Sequence, residues 1–426
     1  MKINAPKGTR DILPEEVFKW HYVEDVIKEV CNNFNYNQIR LPVFEHTELF
    51  QRGVGDTTDI VQKEMYTFED KGGRSITLRP EGTAGVVRSY IEHGMSSRTS
   101  PVKLYYNITA YRYENVQKGR YREFNQFGVE AFGSNDPLMD VEVIMLMETI
   151  LERLSLKDVA LKINSIGCPL CRKEYNQILK AYLATRIEKM CENCRNRFEK
   201  NPLRILDCKE EKCKEEIKEA PLLADYLCKD CHDHFEEVKK GLDACQIPYE
   251  VDKMIVRGLD YYVKTVFEFV SENVGTQGTI CGGGRYNGLV KLCGGPDEPG
   301  IGFAMGMERL IMELDSRNFV FPEPEQLKLF IASVGNETKH FVSSLTYMLR
   351  RKGIKCQNDV SGRSLKAQMK YADKMNARYV LVIGDEEVAK NEGSLKNMKT
   401  GETKTVALDR LYEELIQEEC KICQKI

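Results

Sequence analysis

VKLYYNITAYRYENVQKGRYREFNQFGVEAF, residues 102–132, is the stretch on which the reading of this chain turns. Two runs rich in tyrosine, phenylalanine and β-branched residues flank the polar loop Glu114–Gly119, the pattern of an antiparallel hairpin. Side chains alternate along a strand, so the second run splits into two faces. Arg122, Phe124, Gln126, Gly128 and Glu130 share one; Tyr121, Glu123, Asn125, Phe127 and Val129 share the other. The first set describes the floor of a pocket for a flat, charged ligand. Phe124 would stack a ring, Gly128 leave room, and Gln126 and Glu130 supply directed hydrogen bonds. Arg112, at the end of the incoming strand, can point the same way. Alternation alone fits a sheet with one solvated face equally well.

Upstream, apolar residues at helical spacing (Val17, Trp20, Val23, Val26, Ile27, Val30) predict a helix over Glu15–Cys31, followed by the strand-like IRLPVFEHTELF. After the Ser75–Leu78 strand comes Arg79-Pro80-Glu81-Gly82-Thr83. Glu81 and Thr83 can both face an ammonium group, although the same residues can open a helix through Tyr90. Downstream, Cys168 to Ile247 is Lys/Glu-rich and helical, punctuated by cysteine pairs, and reads as an insertion. Strand character resumes at Tyr249 with Arg257-Gly258-Leu259-Asp260-Tyr261-Tyr262, where an interior glycine suggests close backbone approach. The run Gly282-Gly283-Gly284 can let a ligand lie against the backbone, and Gly300–Leu310 reads as a glycine-rich strand opening a helix. From about Leu327, strands at 327–334, 354–360 and 379–385 alternate with helices His340–Arg351 and Leu365–Asn376. That pattern predicts a separate α/β domain with part of its sheet parallel, and Lys352, Lys355, Arg363, Lys366, Lys370, Lys374 and Arg378 give it local positive charge.

The 426 residues call for more than one domain, since single cores stop growing near ~250–300 residues. No apolar run reaches the ~18 residues of a membrane span, and the N-terminus has no signal-peptide core, so a cytoplasmic protein is expected. Net charge is −3, so a nucleic-acid partner must be held by local basic patches. Eight of the 15 cysteines cluster in the insertion. The pairs Cys168/Cys171 and Cys191/Cys194 have the spacing of one four-cysteine zinc site, and Cys208/Cys213 with Cys228/Cys231 that of a looser second.

The hairpin resembles motif 2 of class II aminoacyl-tRNA synthetases. The first helix with the Pro42 strand resembles motif 1, which pairs subunits, and Gly300–Leu310 resembles motif 3. RPEGT, the hairpin, VRGLDYY, GGGRYNGL and GFAMGMERL follow one another as in the histidine–tRNA ligase family, and the resemblance covers nearly the whole chain. It implies an α+β fold. Residues 1–326 would form a class II catalytic domain, an antiparallel sheet flanked by helices and interrupted by the 168–247 insertion. Residues 327–426 would form an α/β anticodon-binding domain.

The implied activity is ATP-dependent attachment of histidine to its tRNA through histidyl-adenylate, with Mg2+ accompanying ATP, in a homodimer. In that family pattern Arg112 and Arg257 flank the α-phosphate, and Glu114, Arg120, Phe124 and Arg309 bind ATP with Arg112. Glu81, Thr83, Gln126 and Tyr261 surround the substrate ammonium, and Glu130 and Tyr262 read the imidazole. Val116, Asn125 and Asn287 depart from the family pattern. A paralogue of this family, a histidine-sensing regulatory subunit of ATP phosphoribosyltransferase, is the alternative. It lacks a C-terminal domain and loses catalytic arginines, whereas this chain keeps Arg112, Arg257, Arg309 and about a hundred residues after motif 3.

Overall fold

The computed structural model describes residues 3–55, 58–208, 210–271, 278–336 and 338–423. The chain divides into two compact units, Met1–Phe321 and Pro322–Ile426. The division falls before the expected 326/327 boundary because Phe321 packs edge-on against Phe18, Tyr22 and Phe319, within the first unit's core.

The first unit is built on an eight-stranded mixed sheet. Its six central strands run antiparallel in the order Val102–Tyr111, Glu123–Phe132, Gly300–Gly306, Thr279–Arg285, Val263–Val270, Ala160–Ser165. Two short strands, Asn37–Gln38 and Glu250–Val251, add in parallel at the two edges. The predicted hairpin is present, with Ala110 opposite Phe124 and Tyr106 opposite Gly128. One sheet face is covered by helices Pro14–Asn33 and Pro137–Arg153, which bury Trp20, Val23, Ile27, Ile144, Met147 and Leu151 against Phe127, Val129 and Phe303. On the opposite face, Tyr106, Phe132 and Val266 pack with Val86, Val87 and Tyr90, and the cavity opens over the remaining, more polar part.

Two local expectations fail. The stretch Thr47–Phe50 is helix Thr47–Val54, not strand, because Phe50 and Val54, one turn apart, are both fully buried. The alternation drawn from Tyr121 does not hold at its start, because the second hairpin strand begins only at Glu123. Four helices (Pro169–Ala184, Glu192–Lys200, Glu211–Ile217, Lys229–Ala244) and short 3-10 turns occupy the predicted insertion.

The second unit has a five-stranded sheet. Leu329–Ser333 lies between Cys356–Asn358 and Tyr379–Ile383, all parallel, and the hairpin Glu392–Asn397/Thr403–Ala407 continues it antiparallel. Among the described residues no helix is long and apolar enough to cross a membrane.

Candidate active site

A cavity of about 680 Å³ opens on the more polar part of that face of the first sheet. Six arginines line it: Arg112, Arg120, Arg197, Arg204, Arg257 and Arg309. Among the described residues no lysine or histidine does. Of the residues singled out from sequence, Glu81, Thr83, Arg112, Glu114, Arg120, Phe124, Gln126, Arg257, Tyr261, Tyr262 and Arg309 all reach this cavity.

Glu81 precedes helix Thr83–Glu92, and its carboxylate accepts from the Thr83 and Ala84 backbone N–H groups at 2.9 and 2.7 Å. The helix-start reading of this motif holds, and Glu81 and Thr83 both line the cavity. Burial raises the Glu81 pKa, and those hydrogen bonds only partly oppose it. Gln126 accepts from the Gly82 N–H at 2.9 Å, which locks the hairpin to the same turn. Arg112 donates through Nε to the Pro80 carbonyl at 2.8 Å, lies 5.4 Å from the Phe124 ring centre and lines the cavity. Arg120 pairs with Glu114 at 3.4 Å, and Arg309 donates to the Thr279 carbonyl at 2.8 Å.

Arg257 is tied to Glu268 and lies flat across Gly282, where any Cβ would strike its guanidinium. The glycine run thus makes room for the protein's own arginine, where the sequence suggested a ligand. Burial alone would lower the Arg257 pKa, but Glu268 and Tyr262 hold it above the ordinary arginine range.

Glu130 stands one layer deeper and is absent from the cavity lining. Thr83 Oγ1 donates to one of its oxygens at 2.7 Å and the Tyr286 hydroxyl to the other. Burial pushes its pKa up to about 8, against those hydroxyls. Gly128 leaves no ligand space either, because Tyr106 fills it. Arg122 stacks on the Tyr113 ring at 3.7 Å, away from the cavity, while Tyr121 lines it.

The departures acquire partners. Asn287 donates to Asn135 at 2.9 Å and accepts from the Gly300 N–H at 3.3 Å. Asn125, off the cavity as expected, donates through its backbone and side chain to Glu308.

Sequence reasoning missed Glu268, Tyr286, Glu64, Asp59, Arg197 and Arg204. Glu268 had a signal, an acid between Phe267 and Phe269 on the alternate face of a strand. The two insertion arginines had none.

The eight insertion cysteines form two clusters, but not the two predicted. Cys168 and Cys171 join Cys228 and Cys231, and Cys191 and Cys194 join Cys208 and Cys213, with the four sulfurs of each set within 4.8 Å of one another. The first and last insertion helices start at Cys168 and Cys228, and both starts lie beside the point where the chain leaves the sheet after Ser165. Lys264 marks that point: it exchanges backbone hydrogen bonds with Ile166 and Gly167 and pairs through Nζ with Asp230 at 2.7 Å. The outermost cysteine pairs meet there, leaving the inner four to each other. The Sγ–Sγ separations are 3.6 Å (Cys168–Cys171), 4.0 Å (Cys168–Cys228) and 3.7 Å (Cys191–Cys208). A tetrahedron with Zn–S of about 2.3 Å has edges of about 3.8 Å. Backbone N–H groups of Cys228 and Cys191 point at Cys171 and Cys213 sulfurs, at 3.1 and 3.2 Å. The donor set fits a thiophilic divalent metal.

Comparison with known proteins gives a consistent result. A family model described as histidyl-tRNA synthetase matches residues 8–310, and one described as an anticodon-binding domain matches residues 328–418. The histidine–tRNA ligase of Acetivibrio thermocellus is 61% identical over 415 residues, 97% of this chain and 100% of that protein. That of Caldanaerobacter subterraneus subsp. tengcongensis is 54% identical over 411 residues, 96% of this chain and 99% of that protein. The structure of apo S. aureus histidyl-tRNA synthetase matches with a TM-score of 0.83 at 44% identity, covering 97% of this chain and 100% of that one. Full-length likeness to ligases leaves the regulatory-subunit alternative the less supported. From motif order, fold and relatives together, this chain belongs to the histidyl-tRNA synthetase family.

Proposed function

We propose that this chain attaches histidine to its tRNA in two steps, forming histidyl-adenylate from histidine and ATP and then passing the histidyl group to the tRNA's terminal ribose. The observation that carries this reading is the convergence of Arg112, Arg120, Arg257 and Arg309 on one cavity that also holds Glu81, Thr83, Gln126, Tyr261 and Tyr262. Attack of a carboxylate on the α-phosphate needs no protein nucleophile. It needs charge stabilisation and alignment, which fixed guanidinium forks provide.

In this reading Arg112 bridges the histidine carboxylate and the α-phosphate, with Arg257 on the phosphate's other side. Glu114, Arg120 and Arg309 hold the nucleotide, and Phe124 stacks its base. ATP enters as its magnesium complex. Glu81, Thr83, Gln126 and Tyr261 receive the ammonium group. The imidazole lies against Tyr262, with Glu130 accepting from one ring N–H. Both Glu130 oxygens are held by Thr83 and Tyr286, so binding exchanges one of those hydroxyls for the ring. A site of paired polar groups rejects side chains that cannot satisfy them.

The reading extends to a homodimer formed through helix Pro14–Asn33 and the Pro42 segment, to a cytoplasmic location, and to zinc in both cysteine clusters. Histidine-dependent exchange of pyrophosphate into ATP tests the central step, and its absence from folded protein would overturn the reading. Elemental analysis of chain purified without chelator should find two zinc ions. Cys191→Ser with Cys194→Ser should leave one. No zinc in the unsubstituted chain would refute the metal assignment.

A further inference from the structure

The insertion supplies one wall of the cavity, and no step above uses it. Helix Glu192–Lys200 starts at Cys191 and carries Cys194 and, one turn on, Arg197; the following turn Pro202–Ile205 carries Arg204. Cys194 and Cys208 bracket this segment, and both belong to one thiol cluster. The side chains it presents to the cavity include Arg197 and Arg204.

Arg197 is engaged. It donates to Asp59 at 2.8 Å and to the Arg204 carbonyl at 3.5 Å. Arg204 is not. Its side chain is only 10% exposed, yet Nε and Nη1 have no hydrogen-bond partner among the described residues. Asp59 stands 3.9 Å from its Nη2, beyond hydrogen-bond reach and already committed to Arg197. Asp260, on the same side, accepts from Asn201 at 2.7 Å. Nη2 lies 3.9 Å from where a Cβ on Gly258 would stand, one residue from Arg257. Buried, unpaired N–H donors on a charged group are costly, and an anion with several acceptors resolves that cost. The planar guanidinium fork matches phosphate oxygens in pairs.

We propose that Arg204, with Arg197 beside it, forms a phosphate-binding site on the insertion wall of the cavity, held in place by zinc in the Cys191–Cys194–Cys208–Cys213 cluster. This inference rests on the adenylate-forming and zinc readings above. Two reactants bring phosphate to that wall: the polyphosphate of ATP, released as pyrophosphate, and the terminal phosphodiester of the tRNA. Metal and phosphate both need the Cys194–Cys208 segment ordered, so each strengthens the binding of the other.

The test uses full-length, zinc-replete protein. Equilibrium titration with pyrophosphate should show Arg204→Met binding about tenfold to a hundredfold more weakly than the unsubstituted chain, with two zinc ions retained. Arg204→Lys, which keeps the charge and loses the fork, should fall between, and it serves if the methionine variant does not fold. Single-turnover transfer from preformed histidyl-adenylate to tRNA is the second arm. A loss in the first arm alone assigns the site to the ATP polyphosphate; a loss in the second alone assigns it to tRNA. No loss in either, with folded protein and two zinc ions, overturns the site. Cys194→Ser should remove one zinc and reproduce the Arg204→Met loss. A lowered zinc count with unchanged phosphate binding overturns the coupling to metal while the arginine site stands. A zinc count that Cys194→Ser leaves unchanged overturns the zinc reading of that cluster instead.

Discussion

Asp140→Ala should be among the most damaging single changes in this chain, although Asp140 touches no substrate. Asp140 and Arg285 are both wholly inaccessible, with guanidinium–carboxylate contacts of 2.6 and 2.7 Å. Arg285 also donates to the Ser134 and Asp136 carbonyls at 2.8 and 2.7 Å, and His234 Nε2 lies 3.3 Å from the other Asp140 oxygen. Removing the carboxylate strands a charged guanidinium and a histidine in the core. Breaking a buried pair from one side costs about 3–5 kcal/mol, a large share of the ~5–15 kcal/mol that holds a typical domain together. Replacing both partners, Asp140→Leu with Arg285→Met, leaves no unpaired charge from the pair, only His234 and the Ser134 and Asp136 carbonyls without these partners, and should cost less. Trp20, the only tryptophan, is buried in the first unit's core, so its fluorescence during urea unfolding reports this unit. The pH dependence supplies an independent check. Burial works to raise the Asp140 pKa, but His234 and Arg285 outweigh it and hold the group below its ordinary value. Its contribution is therefore full above the unfolded pKa of ~3.9 and is lost as pH falls through the lower folded value. The gap between wild type and Asp140→Ala should be constant at neutral pH and close only in acid. A cost below about 1 kcal/mol at pH 7, or a double variant worse than the single one, would refute the argument.

Arg257→Lys should lose about a hundredfold or more of pyrophosphate exchange, since a point charge cannot reproduce the fork; wild-type exchange would remove Arg257 from its role. Glu130→Gln should raise the Michaelis constant for histidine more than that for ATP. Because Glu130 titrates at about 8 when folded against 4.5 ordinarily, native protein binds the extra proton and stability falls as pH rises between those values; the glutamine variant should flatten that slope in urea titrations. Gly128→Ala should destabilise by at least ~1–3 kcal/mol, because the new Cβ lands on the Tyr106 ring and 2.7 Å from the Phe303 carbonyl; an unchanged melting temperature would contradict that packing. Ending the chain at Phe321 should keep some pyrophosphate exchange and abolish efficient tRNA charging, and unchanged charging would give residues 322–426 another purpose.

The hairpin, the arginines and the two-domain plan were legible because each rests on a local pattern: strand alternation, a charged residue at a strand end, a change of period near Leu327. What alternation cannot supply is depth. Phe124, Gln126 and Glu130 share a face in sequence, yet Phe124 and Gln126 line the cavity while Glu130 lies beneath Thr83 and Tyr286, because a helix from elsewhere in the chain covers that end of the strand. Glycine was misread for a related reason. A missing side chain announces close approach without saying by what, and at Gly282 and Gly128 the visitor is Arg257 and Tyr106. Cysteine spacing showed that there are two quartets but not their membership, since neighbours in sequence were assumed to be neighbours in space. Arg204 offered no pattern at all; the burial of its Nε and Nη1 without hydrogen-bond partners among the described residues exists only in the folded insertion.

The membership of the two cysteine sets also favours an order of events. Cys191 and Cys208 are 17 residues apart, whereas Cys168 and Cys228 are 60 apart, and the shorter span lies wholly inside the longer, as one bracket inside another. Closing the outer span directly is harder by about 1 kcal/mol of chain entropy, because closure cost grows as ~1.5RT times the logarithm of length. Once the inner set has gathered its segment, much of that difference disappears. Chain entropy therefore favours closing the inner set before the outer one. When the outer set closes, it brings the two cut ends of the catalytic sheet to Lys264 together, so Ala160–Ser165 and Val263–Val270 meet as if nothing had been threaded between them.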